Sequence, residues 1–278
     1  MNRSASDHAA PDESGWTDHD VSREIATEAG ALLMELRRSP TDSADQRWLR
    51  DEGDARSHRL IMGRLAELRP DDAILSEEGK DDHERLTYSR VWLIDPLDGT
   101  REFGEPPRDD WAVHVALCVD GEPVAGAVAL PAQDRVFTTV DPRPAARPAS
   151  GPLRMVASRT RAPEIVSDVA AALGADLVFM GSAGAKTMAV VSGVADIYLH
   201  AGGQYEWDSA APVAVATAAG MHCSRIDGSR LVYNQPNPYM PDLLICRHDL
   251  APRILALLDA HNHAGETNGD PRPVGGDR

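Results

Sequence analysis

Asp95-Pro96-Leu97-Asp98-Gly99-Thr100 is the stretch of this sequence that says most about its fold and chemistry. Four apolar residues, Val91-Trp92-Leu93-Ile94, precede it and predict a buried strand that ends at Asp95. Pro96 fixes one backbone dihedral and lacks an amide donor, so strand pairing is expected to stop there. The two carboxylates then lie three residues apart in a turning chain and can converge on one cation with the Leu97 carbonyl oxygen. Ligation by oxygen alone favours Mg²⁺, although Asp-Gly also forms ordinary turns.

The same segment offers backbone groups to an anion. Gly99 permits a close approach of the main chain to a ligand, and the N–H groups of Gly99 and Thr100 can then hold a phosphate. The turn therefore provides for a cation and for a phosphate.

Two further acidic segments are candidates for the same site. Ser76-Glu77-Glu78 directly follows the apolar run Ala73-Ile74-Leu75 at a usual rim for a site, although a solvated acidic loop fits as well. Asp208 precedes a predicted helix over 209–219, where it can ligate a metal or act as the helix N-cap. The histidines show no metal-ligand spacing and are expected at surface or satisfied core positions.

Composition bounds the class of protein. The chain has 278 residues, 42% of them hydrophobic, and a formal net charge of -16. The length suits one two-lobed domain or two small ones, and the charge argues against a nucleic-acid partner. No apolar run approaches the roughly 20 residues of a membrane span, and residues 1–15 lack the apolar core of a signal peptide. Cys118, Cys223 and Cys246 form no CxxC pair, so free thiols in the cytoplasm are expected.

The order of predicted elements indicates an α/β fold with α+β character. Helices are predicted over 21–36, closed by Pro40, and over 54–68; strands follow at 73–75, 91–94, 111–119, 124–130 and 135–140, with a hairpin turn at Asp120-Gly121. After a proline-rich loop at 141–152, strands at 153–157, 177–180, 197–200 and 243–246 alternate with helices at 163–173, 185–191, 209–219 and 250–258. We therefore predict disordered tails at 1–15 and 263–278, an N-terminal lobe at 16–150, a C-terminal lobe at 151–262, and a site between the lobes.

The acidic segments occur in a fixed order: a strand then Glu-Glu, then Asp-Pro-Leu-Asp-Gly-Thr, then Trp-Asp-Ser-Ala-Ala. In that combination they resemble the inositol monophosphatase-like superfamily of Mg²⁺-dependent phosphatases, over roughly residues 20–260. The resemblance implies an αβαβα layered sandwich with the metal site between two lobes. It also implies two or three Mg²⁺ ions per site, inhibition by Li⁺, a small phosphomonoester substrate and, as in many members, a homodimer.

The resemblance assigns roles to individual residues. The metal ligands would be Glu77, Asp95, Asp98, Asp208 and the Leu97 carbonyl oxygen. Thr100 would orient the attacking water, with Glu77 and Asp54 acting beside the water-activating metal. The sequence before Asp54, Trp48-Leu49-Arg50-Asp51-Glu52-Gly53, departs from the family pattern, so a helix N-cap at Asp54 is an equal alternative.

Three features resemble the branch of the superfamily that acts on 3'-phosphoadenosine 5'-phosphate (PAP), the CysQ type. Ser158 and Arg159 could meet a second phosphate or form a solvated turn. Ser182 and Lys186 could hold a ligand at a helix start, although Ser182 could simply cap the helix. In the stretch 199–212, Tyr205 or Trp207 could flank an adenine or pack in the core. The predicted substrate site comprises Asp98, Gly99, Thr100, Arg101, Ser158, Arg159, Ser182, Lys186 and Asp208.

Three functions stay open at this point. The favoured one is removal of the 3'-phosphate of PAP, giving AMP, in sulfur metabolism. Inositol monophosphate or fructose 1,6-bisphosphate would keep the chemistry and change the substrate. A non-catalytic metal- or nucleotide-binding regulator is disfavoured, because Glu77, Asp95, Asp98 and Asp208 are all retained.

Overall fold

The computed structural model describes residues 15–38, 46–81, 83–143, 151–160 and 162–267. One large sheet consists, in spatial and sequence order, of β1 (Ala73–Ser76), β2 (Arg90–Asp98), β3 (Ala112–Val119), β4 (Glu122–Leu130) and β5 (Arg135–Thr138). β1 is parallel to β2, and the other neighbours are antiparallel. The predicted hairpin turn joins β3 to β4: Asp120 and Gly121 have φ values of 51° and 81°, as a type I′ turn requires.

The other large sheet consists of β6 (Arg154–Ser158), β7 (Asp176–Met180), β8 (Ile197–His200), β10 (Met221–Ser224) and β12 (Leu243–Arg247). Their spatial order is β10-β12-β8-β6-β7, with β6 parallel to β7 and β8, and β12 antiparallel to β8 and β10. A short antiparallel ladder pairs β9 (Gln204–Tyr205) with β11 (Tyr239–Met240).

Helices cover both sheets and fill the space between them. The helices are α1 (Asp18–Arg38), α2 (Gln46–Leu68), α3 (Thr100–Phe103), α4 (Glu164–Leu173), α5 (Ala183–Val191), α6 (Glu206–Ala218) and α7 (Ala251–Thr267). Three hydrophobic clusters hold the layers together: α1 and α2 pack on the first sheet, α5 and α6 between the sheets, and α4 and α7 on the second. This order of layers confirms the predicted αβαβα sandwich.

Alternation along β2 and β3 decides which side chains face the central helical layer. Val91 and Leu93 belong to the cluster around α5 and α6, whereas Trp92 faces α1 and α2. The same two-residue period turns Asp95 toward the central layer, and Asp95 pairs across the ladder with His114 of β3. A sheet buried on both faces thus carries two ionisable side chains into the protein interior.

The second helix begins at Gln46 rather than at Asp54, so Asp54 lies inside α2 and the alternative of an N-cap is wrong. The buried residues of α2 occur at four-residue intervals: Leu49, Gly53, Ser57, Ile61 and Leu65. Because Gly53 and Ser57 carry no hydrophobic signal, the first half of this face could not be recognised from its periodicity.

Three other boundaries correct the sequence prediction. β2 does not end at Asp95: after a register shift it pairs again at Asp98, so Pro96 interrupts the strand without ending it. α6 begins at Glu206 rather than Ser209, because Tyr205 caps it and Asp208 accepts the Tyr205 N–H at 2.6 Å; Asp208 is therefore in the first turn and is not the N-cap. α7 extends to Thr267, five residues into the range predicted to be disordered.

Some predictions lie partly outside the described residues, namely the 1–15 tail apart from Gly15, Pro40 as a helix stop, the loop at 144–150 and the end of the chain from 268. The division into lobes at residues 150 and 151 stays a prediction. All three cysteines are free thiols. No helix among the described residues combines the length and apolar character needed to cross a membrane.

Two glycines of α2 should respond in opposite ways to substitution by alanine. A Cβ at Gly53 would lie 2.7 Å from Phe103 and 3.0 Å from Leu97, whereas a Cβ at Gly63 would meet nothing within 4 Å. We expect Gly53→Ala to lower the free energy of unfolding by about 1–2 kcal/mol through overpacking. Gly63→Ala should raise it by up to about 1 kcal/mol through helix propensity. Urea unfolding of both variants measures this, and equal stabilisation by both would contradict the packing of α2 against Leu97.

Candidate active site

Asp95 is the most deeply buried member of an acidic cluster at the end of β2. Its Oδ1 accepts the Leu97 N–H at 3.1 Å, which shapes the turn after the strand. Burial raises the pKa of Asp95 well above its ordinary value, and the negative charges of Glu77, Asp98 and Asp208 raise it further. The structure therefore brings together the four carboxylates that the sequence singled out.

Asp98 differs from its neighbours because hydrogen-bond donors surround one of its oxygens. Oδ2 accepts the Ser182 hydroxyl at 2.5 Å and the Gly184 N–H at 2.7 Å, and lies 3.2 Å from Nε2 of His114. Burial alone would raise the pKa of Asp98, but His114, Lys186 and the Ser182 hydroxyl outweigh it and lower the pKa to about 2. Asp98 is thus held ionised, with Oδ2 occupied on the side of α5.

Glu77, Asp208 and Asp54 share the opposite tendency. Glu77 is an exposed residue, yet partial burial of its carboxyl group and the charge of Asp208 raise its pKa to about 7. Burial and the charge of Asp98 raise the pKa of Asp208 to about 6. Burial and the charges of Glu78 and Glu77 raise the pKa of Asp54 to about 8. These groups cannot all ionise without a compensating positive charge.

This donor set fits a hard divalent cation. Carboxylate oxygens predominate, and a bound cation would reverse the repulsion that holds the pKa values up. The Leu97 carbonyl oxygen, the fifth predicted ligand, lies 3.0 Å from the hydroxyl of Thr100, which donates to it. Binding of metal by each of these residues stays a prediction.

The site also contains His114, a position that no sequence pattern indicated. Oxygen and nitrogen atoms of Asp95, Asp98 and His114 all lie within 4.8 Å of one another. Nδ1 of His114 lies 3.2 Å from the Trp207 carbonyl oxygen, while Nε2 faces Asp98. Both ring nitrogens therefore lie beside acceptor oxygens, and His114 is a close neighbour of Asp98. Only the β2–β3 register, which pairs His114 with Asp95, could have indicated this position.

Asp54 is located in the first half of α2, and its side chain extends to the site. A hydrogen bond with Thr100 acts against the rise in the pKa of Asp54, which places these two side chains together. The hydroxyl of Thr100 has one proton and two acceptors in reach, the Leu97 carbonyl oxygen and Asp54. The predicted pairing of Asp54 and Thr100 around a water is therefore geometrically feasible.

A cleft of about 660 Å³ opens beside the acidic cluster. It is lined by all nine residues of the predicted substrate site, Asp98, Gly99, Thr100, Arg101, Ser158, Arg159, Ser182, Lys186 and Asp208. The cleft lies where α3, the start of α5, the end of β6 and the start of α6 meet.

Two of the predicted phosphate-binding cations are occupied by the protein itself. Arg159 donates to Glu102 at 2.5 Å and to Glu105 at 2.8 Å. Lys186 is buried and donates to the carbonyl oxygens of Gly181 at 2.9 Å and Ser182 at 2.8 Å. Ser182 also caps α5 by accepting the Ala185 N–H, so the alternative of a structural cap is confirmed alongside its contact with Asp98.

Tyr205 and Tyr239 line the α6 side of the cleft, whereas Trp207 packs against the core and contacts Tyr205. The rings of Tyr205 and Trp207 stack with centroids 4.7 Å apart and planes within 9° of parallel. Tyr239 meets Tyr205 edge-on at 6.0 Å, and the exposed fractions of the two tyrosines are 49% and 46%. Tyr205 is therefore not a core residue: it presents a flat apolar surface one turn from Asp208.

The family is shown by comparison with known proteins. The model of the inositol monophosphatase family matches residues 17–263, and the chain belongs to this family. The 3'-phosphoadenosine 5'-phosphate phosphatase of Mycobacterium tuberculosis is 51% identical over 243 residues, covering 84% of this chain and 90% of the relative. The enzyme of the same name from Mycobacterium leprae is 49% identical over 255 residues, covering 87% and 93%.

Solved structures agree with this assignment. CysQ from Bacteroides thetaiotaomicron, described as a bacterial member of the inositol monophosphatase family, has a TM-score of 0.71 at 25% identity and covers 82% of this chain and 96% of its own. Mycobacterium tuberculosis SuhB has a TM-score of 0.66 at 26% identity, covering 88% and 96%.

Replacement of Asp98 by asparagine should abolish most activity while the fold is retained. The change keeps the shape that meets Ser182 and Gly184 but removes the one carboxylate held ionised. We expect phosphatase activity to fall roughly 100-fold or more, since even partners of metal ligands contribute 10–100-fold. Steady-state kinetics with circular dichroism measures this. Asp196→Asn is the control: Asp196 pairs with Arg247 just before β8, at the end of that strand away from the cleft, and this variant should keep activity within a few-fold. Full activity of Asp98→Asn would show that Asp98 is not part of the metal site.

The acidic cluster should make the metal-free protein less stable as pH rises from 7 to 9. Asp54 and Glu77 have folded-state pKa values of about 8 and 7, above the unfolded values near 4, so the folded state loses protons in this range that the unfolded state has already lost. The melting temperature in EDTA should therefore fall between pH 7 and 9, and Mg²⁺ should stabilise more at pH 9. Glu206, with a pKa of about 7, also contributes to the loss of stability, and Mg²⁺ should not restore this contribution. A stabilisation by Mg²⁺ that is equal at both pH values would contradict this origin.

Proposed function

We propose that this protein is a Mg²⁺-dependent phosphomonoesterase that hydrolyses the 3'-phosphate of PAP, giving AMP and phosphate, in sulfur metabolism. The observation that carries the proposal is that Asp98 and Asp208 of the acidic cluster line the same cleft as the exposed rings of Tyr205 and Tyr239. A nucleotide needs both, a site for the reacting phosphate and a flat surface for the base. The mycobacterial relatives named as PAP phosphatases, about half identical over most of the chain, support the same substrate.

The residues that would hold the metal ions are Glu77, Asp95, Asp98, Asp208 and the Leu97 carbonyl oxygen. Bound Mg²⁺ would polarise the phosphoryl group and lower the pKa of a water molecule. The backbone N–H groups of Gly99 and Thr100 would orient the phosphate, and the site would require no covalent intermediate.

Asp54 and Thr100 would position the attacking water. Burial and the charges of Glu78 and Glu77 raise the pKa of Asp54 to about 8 in the metal-free site, so Asp54 is a stronger base than an ordinary aspartate. A bound cation would lower this pKa and let Asp54 accept a proton from the water near neutral pH. The Thr100 hydroxyl, which contacts Asp54 and donates to the Leu97 carbonyl oxygen, would set the direction from which the water approaches.

We place the reaction in the cytoplasm, where the free thiols of Cys118, Cys223 and Cys246 would stay reduced. Cys118 and Cys246 are buried, and burial raises the pKa of each thiol, which suits inert core residues.

The proposal is tested by measuring phosphate release from PAP, inositol 1-phosphate and fructose 1,6-bisphosphate, each with Mg²⁺, with EDTA, and with Mg²⁺ plus Li⁺. We expect kcat/KM for PAP to exceed the others by at least about 10-fold, since an adenine and a second phosphate add contacts. EDTA should abolish release and Li⁺ should inhibit it.

Each alternative function predicts a different outcome. A preference for inositol 1-phosphate or fructose 1,6-bisphosphate would keep the metal chemistry and reject the nucleotide substrate. No Mg²⁺-dependent release from any of the three would favour a non-catalytic binding protein.

A further inference from the structure

PAP carries a second phosphate, at the 5' position, that the metal cluster does not engage while the 3'-phosphate reacts. A second dianionic group in an acidic cleft needs a cation of the protein. The described part of the cleft lining carries three carboxylates, Asp98, Glu102 and Asp208, and three lysine or arginine side chains, Arg101, Arg159 and Lys186. Only a cation that is not already paired within the protein is available to bind the second phosphate.

Arg159 is committed to the protein. Its guanidinium contacts Glu102 and Glu105, residues 57 and 54 positions away, and so joins the end of β6 to the segment after α3. Glu102 is in turn packed so closely on Gly181 that a Cβ there would lie 2.3 Å from its carboxyl carbon. Two carboxylates already surround one guanidinium, so Arg159 offers an incoming phosphate little net positive charge.

The ammonium group of Lys186 is also occupied by contacts within the protein. Lys186 is 5% exposed, its ammonium group donates to two backbone carbonyl oxygens, and it lies 5.2 Å from the centre of the Tyr198 ring. These contacts fix the Gly181–Ser182 turn, where Ser182 has a φ of 40° and donates to Asp98. Lys186 therefore positions Asp98 from inside the protein.

Arg101 is the remaining cation. It directly follows Thr100 in α3, lines the cleft and is exposed, and among the described residues it forms no ion pair or hydrogen bond through its side chain. A guanidinium free to rotate can meet a phosphate with two parallel N–H donors.

We propose that Arg101, rather than Arg159 or Lys186, recognises the second phosphate of the substrate and thereby selects bisphosphorylated nucleotides. This inference rests on the proposed function, since it specifies which residue reads the substrate. Arg101 adjoins the turn that holds the reacting phosphate, so one loop would set the spacing between the two phosphates.

The test removes the second phosphate from the substrate and the guanidinium from the protein, separately and together. kcat/KM is measured on PAP and on adenosine 3'-phosphate, which lacks only the 5'-phosphate, for the wild type, Arg101→Ala and Arg101→Lys. Arg230→Ala, which removes an equal charge from an exposed pair with Glu122 outside the cleft, is the matched control. Arg159→Ala is measured alongside.

We expect the wild type to prefer PAP and Arg101→Ala to reduce the ratio of the two kcat/KM values about 10- to 100-fold, the range for a hydrogen-bonded charge. Arg101→Lys should recover part of the ratio, and Arg230→Ala should leave it within about twofold. Arg159→Ala should lower kcat on both substrates alike.

An unchanged ratio in Arg101→Ala, or a collapse of the ratio in Arg159→Ala alone, would overturn the assignment while the proposed function stands. A wild type that acts on both nucleotides but does not distinguish them would show that no residue reads the second phosphate. Failure of the wild type to release phosphate from PAP would instead reject the proposed function.

Discussion

Mutual repulsion among buried carboxylates is the constraint on which the site depends. Strand alternation turns Asp95 inward, and the start of α6 brings Asp208 to the same place. The pKa values of Asp95, Glu77 and Asp208 are raised together, which means that the fold assembles more negative charge than it can neutralise. A cation relieves this strain, so affinity for metal is built into the packing of the layers.

Asp98 stays ionised despite this repulsion because groups of the central helical layer donate hydrogen bonds to it. Lys186 fixes the turn before α5, and that turn directs the Ser182 hydroxyl and the Gly184 N–H at one oxygen of Asp98. Gly184 is required there, since a Cβ would lie 2.1 Å from Nε2 of His114. The buried cation thus acts on the acidic cluster through backbone geometry as well as through charge.

A second buried network joins the segment after β1, which contains Asp81 and Arg85, to the segment before β11. Arg85, 3% exposed, donates to Asp81 and to the side chain of Asn234 at 2.6 Å. Glu206 accepts the backbone N–H groups of Asn234 and Gln235 at 2.6 and 2.8 Å, which anchors the segment leading to β11 at the first turn of α6. The same hydrogen-bond network therefore positions both the region that would bind metal and the region that would bind the nucleobase.

The sequence by itself determined the layered fold, the order of most strands and helices, and the four carboxylates, because strand runs, hairpin turns and the Asp-Pro-Leu-Asp-Gly-Thr motif are local signals. The nine residues that it predicted for the substrate site all line the cleft, and their binding of substrate stays a prediction. Only the tertiary structure decided what those residues can do. His114 became part of the site through strand register, and Asp54 through a helix whose buried face contains glycine and serine. Whether Arg159 is free or paired depends on carboxylates more than 50 positions away, and no local pattern encodes such a contact.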